Sequence, residues 1–157
     1  MVLLCGCHPS GEAQKPEKTQ LEIREFQTRT FDVQDQRLVM KSILNVLQDD
    51  GYIVKNVALD LGFLTANKEI DIEEARDRFW AQFSRGREAR WPKHELIEAT
   101  INVSEFGTKT RIRANFQFKV FDNTGAVVVI RPIIEEEFYQ EFFTKVSKGI
   151  FIQEQNI

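Results

Sequence analysis

The sequence predicts an α+β domain: an antiparallel sheet packed against a long C-terminal helix, with one further α-helix after the first strand and a variable helix-loop insertion. Three observations carry this expectation. Ile97, Ala99, Ile101 and Val103 alternate with Glu98, Thr100, Asn102 and Ser104, and Ile112, Ala114, Phe116, Phe118 and Val120 alternate with Arg111, Arg113, Asn115, Gln117 and Lys119. Alternation of this kind puts one face of a hairpin against a core and the other in water. Near the C-terminus, Phe138, Phe142, Val146 and Ile150 recur at helical spacing. Finally, the chain holds 13 phenylalanines, and each buried ring removes about 150–250 Å² from water. The apolar side of a sheet is the surface broad enough to receive them.

Taken in order, Leu21–Phe31 mixes β-branched, aromatic and charged residues with a two-residue rhythm and reads as a strand. Asp32 reads as the N-cap of the next helix, with Asp35 in its first turn, where negative charge is favoured. Val39, Met40, Ile43, Leu44, Val46 and Leu47 form its apolar stripe, and Gly51 should stop it. Tyr52–Val57 and Phe63–Ile70 read as strands joined by a turn at Asp60-Leu61-Gly62. Asp71 would cap a second helix carrying Ala75, Phe79 and Phe83, followed by a loop over Ser84–Lys93. The two alternating runs then form a hairpin turning at Gly107-Thr108-Lys109. Asp122-Asn123-Thr124-Gly125 is a second turn, leading into a strand at Val127–Ile130 that Pro132 should end. Glu135 to about Phe151 reads as the closing helix, with Glu135, Glu136 and Glu137 complementing its dipole.

The first residues carry a different kind of signal. Val2-Leu3-Leu4 is apolar, and Leu4-Cys5-Gly6-Cys7 resembles the lipobox of bacterial lipoproteins. The resemblance implies cleavage after the small Gly6 and attachment of lipid to the Cys7 thiol. A full signal has an apolar stretch of roughly 7–15 residues, so residues 1–7 read as the remnant of one. His8–Gln20 holds two prolines, one glycine and many charges. It is too poor in apolar side chains to offset its ordering entropy, and reads as a disordered tether reaching at most about 45 Å. That leaves 21–157 as a single domain, within the ~100–200 residues usual for one. The bland alternative for the motif is a Cys-x-Cys pair in redox or metal chemistry, though a metal site usually needs four ligands; a further rival is a soluble cytosolic protein whose Cys5 and Cys7 stay free.

Leu47 through Gly51-Tyr52-Ile53-Val54, then Leu61-Gly62-Phe63-Leu64-Thr65-Ala66, are similar to the helix-grip domains of the outer-membrane assembly lipoprotein BamC. Thr28-Arg29-Thr30-Phe31-Asp32 and Leu47-Gln48-Asp49-Asp50-Gly51-Tyr52 resemble a small family of uncharacterised Gram-negative outer-membrane lipoproteins more closely. The likeness spans Ile23 to Ile152 in layout. Its motifs are structural, so it implies a fold and an address and no catalytic residue. His8 after the lipidated cysteine, in place of aspartate, implies the outer membrane.

Chemistry is sparse. The net charge of −3 argues against a nucleic-acid partner, which selects strongly basic domains. No run approaches the ~20 apolar residues of a membrane span. Asp49-Asp50 and Asp71/Glu73/Glu74 lack the spacing that wraps oxygens around calcium and read as helix ends. His94, beside Pro92 and Lys93, reads as an exposed loop or strand-edge histidine and not as a general base. Gly-x-Ser-x-Gly and phosphate-cradling glycine loops are absent. No enzyme activity, metal or cofactor is expected.

Two basic features remain as candidate contacts with an anionic surface or partner. One is the loop holding Arg85, Arg87, Arg90, Trp91 and Lys93, and the other is the wet hairpin face with Arg111 and Arg113. For the loop, an ordinary solvated surface is the commoner reading of such a run. Glu98 is expected to pair across the hairpin with Lys119. The sequence thus points to a lipid-anchored periplasmic lipoprotein on the outer membrane, serving as an accessory or scaffold module for an envelope protein partner. A second reading is a carrier holding an apolar ligand in a cavity lined by Phe116, Phe118, Phe138 and Phe142.

Overall fold

The structure, a computed structural model, describes residues 17–70 and 94–155. The elements in chain order are α1 (Gln20–Phe26), β1 (Thr28–Phe31), α2 (Gln36–Asp49), β2 (Ile53–Ala58), β3 (Phe63–Ile70), β4 (His94–Phe106), β5 (Lys109–Phe121), β6 (Val127–Pro132) and α3 (Glu136–Glu154). The six strands make one antiparallel sheet in the order β1-β5-β4-β3-β2, with β6 also on β5. The α+β expectation, with a C-terminal helix packed on an antiparallel sheet, is met. The expected helix after Asp71, the loop at Ser84–Lys93 and the signal remnant at residues 1–7 lie outside the described residues. So do residues 8–16 of the tether.

The long β4–β5 hairpin is the spine. β4 pairs with β5 from His94↔Phe121 to Phe106↔Lys109, so it fills one edge of β5 along its whole length. The other edge is shared end to end: β1 takes Thr110–Arg113 and β6 takes Gln117–Phe121. Between them the Ala114 amide donates to the Gln27 carbonyl at 2.9 Å, and the Ile133 amide donates to the Phe116 carbonyl at 2.9 Å.

Leu21–Phe31 is not one strand. Thr19 opens α1 through a capping box: its hydroxyl accepts from the Glu22 amide at 3.3 Å, and the Glu22 carboxylate accepts from the Thr19 amide at 2.7 Å. Hydrogen bonds from Thr19, its backbone amide foremost, hold the Glu22 carboxyl below the usual carboxylate range. Only Thr28–Phe31 is extended. The N-cap of α2 is likewise Asp35, whose carboxylate accepts from the Leu38 amide at 3.0 Å, and not Asp32, which pairs with Lys109 at 2.7 Å.

Val39, Met40, Ile43, Val46 and Leu47 of α2, and Tyr139, Phe142, Phe143, Val146 and Ile150 of α3, pack on Leu64, Ala66, Ala99, Ile101, Val103, Ile112, Ala114 and Phe116 of the sheet. All of these are buried. The Tyr139 hydroxyl ties three segments together. It donates to the Ile133 carbonyl at 2.9 Å and accepts from Gln27 Nε2 at 3.2 Å and from the Phe116 amide at 3.3 Å. Burial pushes the Tyr139 phenol above its ordinary range, which keeps it a donor. Lys145 of α3 reaches Asp50 at the end of α2 at 2.7 Å, and this bond raises the Lys145 pKa. Gly149, one turn further along α3, lies against Ser42 and Val46, earlier in α2, so the two helices lie antiparallel across the sheet.

Candidate functional site: the uncovered face of the sheet

Both large helices lie on one side of the sheet. On the other, Thr100, Asn102, Ser104, Asn115 and Gln117 are half-buried or exposed, and among the described residues no helix lies over them. Odd positions of β5 and even positions of β4 point to this side because successive side chains alternate across a strand. Register fixes the rows. Arg113 stands between Thr28 of β1 and Asn102 of β4, and Arg111 between Thr30 and Ser104. The next row is Asn115 with Thr100 and Thr65. Two rows thus hold an arginine flanked by neutral hydrogen-bonding side chains, with no carboxylate opposite.

The Arg111 guanidinium lies 3.6 Å from the centroid of the Phe106 ring, a cation–π contact that fixes its plane. Arg113 Nε is buried without a hydrogen-bond partner among the described residues, so one donor of that fork is unused. Cα atoms two apart along a strand are about 6.6–6.8 Å from each other, close enough for two guanidinium groups to meet neighbouring oxyanions of one partner. Arginine suits this because its planar fork matches carboxylate and phosphate oxygens.

Cations elsewhere on this face are already matched. Glu98 accepts from Lys119 Nζ and from Gln117 Nε2, each at 2.7 Å, as the hairpin register led us to expect. The Lys119 ammonium bond outweighs desolvation and holds the Glu98 carboxyl below its usual range. A depressed carboxyl stabilises the fold above its unfolded pKa and stops doing so as pH falls through the depressed value. Stability should therefore decline on acidification below about pH 4.3, and Glu98→Gln should flatten that decline in urea titrations run between neutral and acid pH. An unaltered pH profile in the variant would mean that the pair contributes nothing.

Of the residues singled out from sequence, Arg111 and Arg113 sit together on this face. Arg85, Arg87, Arg90, Trp91 and Lys93 lie outside the described residues, as does Cys7. His94 begins β4, half-exposed, with Nε2 3.8 Å from Glu69 Oε1 and its ring 5.7 Å from that of Phe121. Pairing of β3 with β4 brings Glu69 to it across the sheet. Thr28, Thr30 and Phe106 were missed as neighbours of the arginines, although Thr28-Arg29-Thr30 carries the alternation that puts both hydroxyls on one face. Among the described residues no three His, Cys, Asp or Glu side chains gather as a metal site.

The rings suggested as a cavity lining meet one another. Phe116 lies 4.9 Å from Phe138 and 5.1 Å from Phe142, centroid to centroid, and Phe118 packs at the core margin. Among the described residues, surface concavities lie elsewhere. One is lined by Ser147, Lys148, Phe151 and Ile152, another by residues of α1, β1 and the start of α3, including Lys18, Phe26 and Arg29. Compared with known proteins, the chain matches no protein-family model and no curated sequence.

Proposed function

We propose that this chain is a lipid-anchored lipoprotein on the periplasmic face of the outer membrane. There it would work without catalysis, as an accessory module that meets an acidic envelope protein through the uncovered face of its sheet. The observation that carries the binding role is the Arg111–Arg113 pair, flanked by Thr28, Thr30, Asn102 and Ser104 with no opposing carboxylate. The anchor rests on Leu4-Cys5-Gly6-Cys7. Each methylene of an acyl chain buried in the bilayer contributes about 0.8 kcal/mol, and two or more chains make retention stable. Tethering also raises the local concentration of a partner in the same leaflet, so a small contact suffices.

The experiment is intact-mass analysis of the protein recovered from Gram-negative membranes, with a photo-crosslinker at Asn102. The mature chain should begin at Cys7 and carry diacylglycerol, and Cys7→Ser should leave it unprocessed. A protein crosslink should form at Asn102 and disappear with Arg111→Glu/Arg113→Glu. A chain that keeps Met1 and free thiols sinks the anchor, and a crosslink indifferent to charge reversal sinks the contact face.

A further inference from the structure

Arg29 stands opposite Ile112, whose side chain is buried under the helices. Residues paired across a ladder share a face, so Arg29 points to the covered side of the sheet. A charged side chain is almost never fully buried there, and Arg29 escapes because β1 lies at the sheet edge. Its guanidinium lies over the Phe143 ring, 5.0 Å from the centroid, and lines an open cleft between α1 and the start of α3. The cleft has a volume of about 390 Å³. Lys18 lines it too. The Lys18 ammonium donates to the Ile134 carbonyl at 3.0 Å and lies 4.8 Å from the centroid of the Phe26 ring.

Each cation is thus fixed against an aromatic ring, and neither closes an ion pair among the described residues. The ammonium spends one donor on Ile134 and keeps the rest, and the guanidinium fork is uncommitted. Carboxylates line the same cleft. Glu22 is occupied by Thr19, and Glu136 accepts from Gln140 Nε2 at 3.0 Å with one oxygen. The Glu25 carboxylate makes no hydrogen bond or ion pair among the described residues. Opposite charges therefore share one cleft without closing on each other, because rings hold the cations and two different helices carry Glu25 and Glu136. A simple anion would be repelled by the carboxylates, and a simple cation by Arg29 and Lys18. A molecule bearing both charges a short distance apart satisfies both sets.

We infer that this cleft binds short zwitterionic peptides, with a free amino and a free carboxyl end. The peptide carboxylate meets the Arg29 fork and the Lys18 ammonium, and the peptide ammonium meets Glu25 and Glu136. The Phe26 ring supplies an apolar wall between them. A dipeptide spans about 7 Å when extended, at ~3.3–3.6 Å per residue, and so separates its two charges while fitting the cleft. The site lies on the covered side of the sheet, away from Arg111 and Arg113, and rests on neither that face nor the anchor.

The measurement is an NMR amide-shift titration of the full chain, carrying Cys7→Ser so that no lipid is attached. The probes are alanyl-alanine, its N-acetyl form and its C-terminal amide. Alanyl-alanine should shift the amides around Phe26, Arg29 and Glu136 saturably, with a Kd of about 0.1–1 mM for a ligand this small. Blocking either end should weaken binding about tenfold, the loss of one charge-assisted contact. Arg29→Gln should weaken alanyl-alanine by a like factor and make amidation inconsequential, while acetylation still costs affinity. Glu25→Gln/Glu136→Gln should give the reverse. A general disturbance of the fold would not produce this crossed pattern, and amide shifts far from the cleft report whether each variant stays folded. The inference is overturned by the lack of a saturable shift in the millimolar range, or by equal affinity for free and blocked peptides. Losses that ignore which end is blocked overturn it as well. None of these results bears on acylation at Cys7 or on the crosslink at Asn102.

Discussion

Gly62→Ala is expected to destabilise the protein by about 2–5 kcal/mol, the sum of a left-handed backbone penalty of about 1–2 kcal/mol and an overpacking cost of about 1–3 kcal/mol. Gly62 has φ 61°. A Cβ there would run into the carbonyl oxygen of Val103 and the side-chain amide of Gln36. The first is backbone in the central hairpin and cannot swing away. The second is the group that fastens the start of α2 to β4, so relieving the clash loosens a helix as well as a turn. Gly125 is the internal control: its φ is 84°, but nothing lies within 4 Å of an added Cβ. Gly125→Ala should therefore show the backbone penalty alone. Urea denaturation of the two variants side by side separates strain from collision. Equal losses would mean that the close approach of Gly62 to Val103 does not exist in solution.

Phe116→Ala is expected to cost about 3–5 kcal/mol, the range for removing a fully packed aromatic side chain. Its ring is 2% exposed. It meets Tyr52 at 6.1 Å, Phe138 at 4.9 Å, Tyr139 at 5.7 Å and Phe142 at 5.1 Å, all edge to face. Edge-to-face rings gain about 0.5–1.5 kcal/mol per pair beyond their buried area. Those neighbours come from α3 and from the turn after α2, so deleting the ring opens a gap where both helices rest on the sheet. Domains of this size have only about 5–15 kcal/mol in hand, and the variant should be near its unfolding threshold at room temperature. Phe106→Ala, at an exposed ring, should stay within about 0.5 kcal/mol. A loss below about 1 kcal/mol for Phe116→Ala would mean that the core is loosely packed around that ring.

How much of this was legible beforehand depended on how far each decision was local. The β4–β5 hairpin was readable because its inward and outward residues differ sharply in polarity over both strands. α2 and α3 were readable because their apolar stripes are broad, and Gly51, with φ 85°, ends the first where a left-handed cap was expected. Leu21–Phe31 misled because Leu21, Ile23 and Phe31 suggested alternation. Leu21 is 76% exposed, so the first beat of that rhythm had no burial behind it, and the Thr19/Glu22 capping signature outweighed it. Asp32 and Asp35 are chemically equivalent caps. The choice between them was made by Lys109, 77 residues away from Asp32 in a chain where only register reveals the pairing. The candidate face was half visible. Arg111 and Arg113 could be placed on the wet side from periodicity, but the absence of an opposing carboxylate depends on β1, whose partner strand no local pattern identifies.

The shared edge of β5 also fixes when the protein can become a protein. β1 has no partner until Thr110–Arg113 exists, and Gln27 waits for Tyr139, 112 positions later. Pairings across so much chain are slow to form, because loop closure must precede the contacts that reward it. During synthesis α1 and β1 therefore remain without their native partners until β5 and α3 have left the ribosome, whereas α2 can meet β2 and β3 much earlier. The sheet is thus completed in reverse, its earliest-made strand being among the last to find an edge.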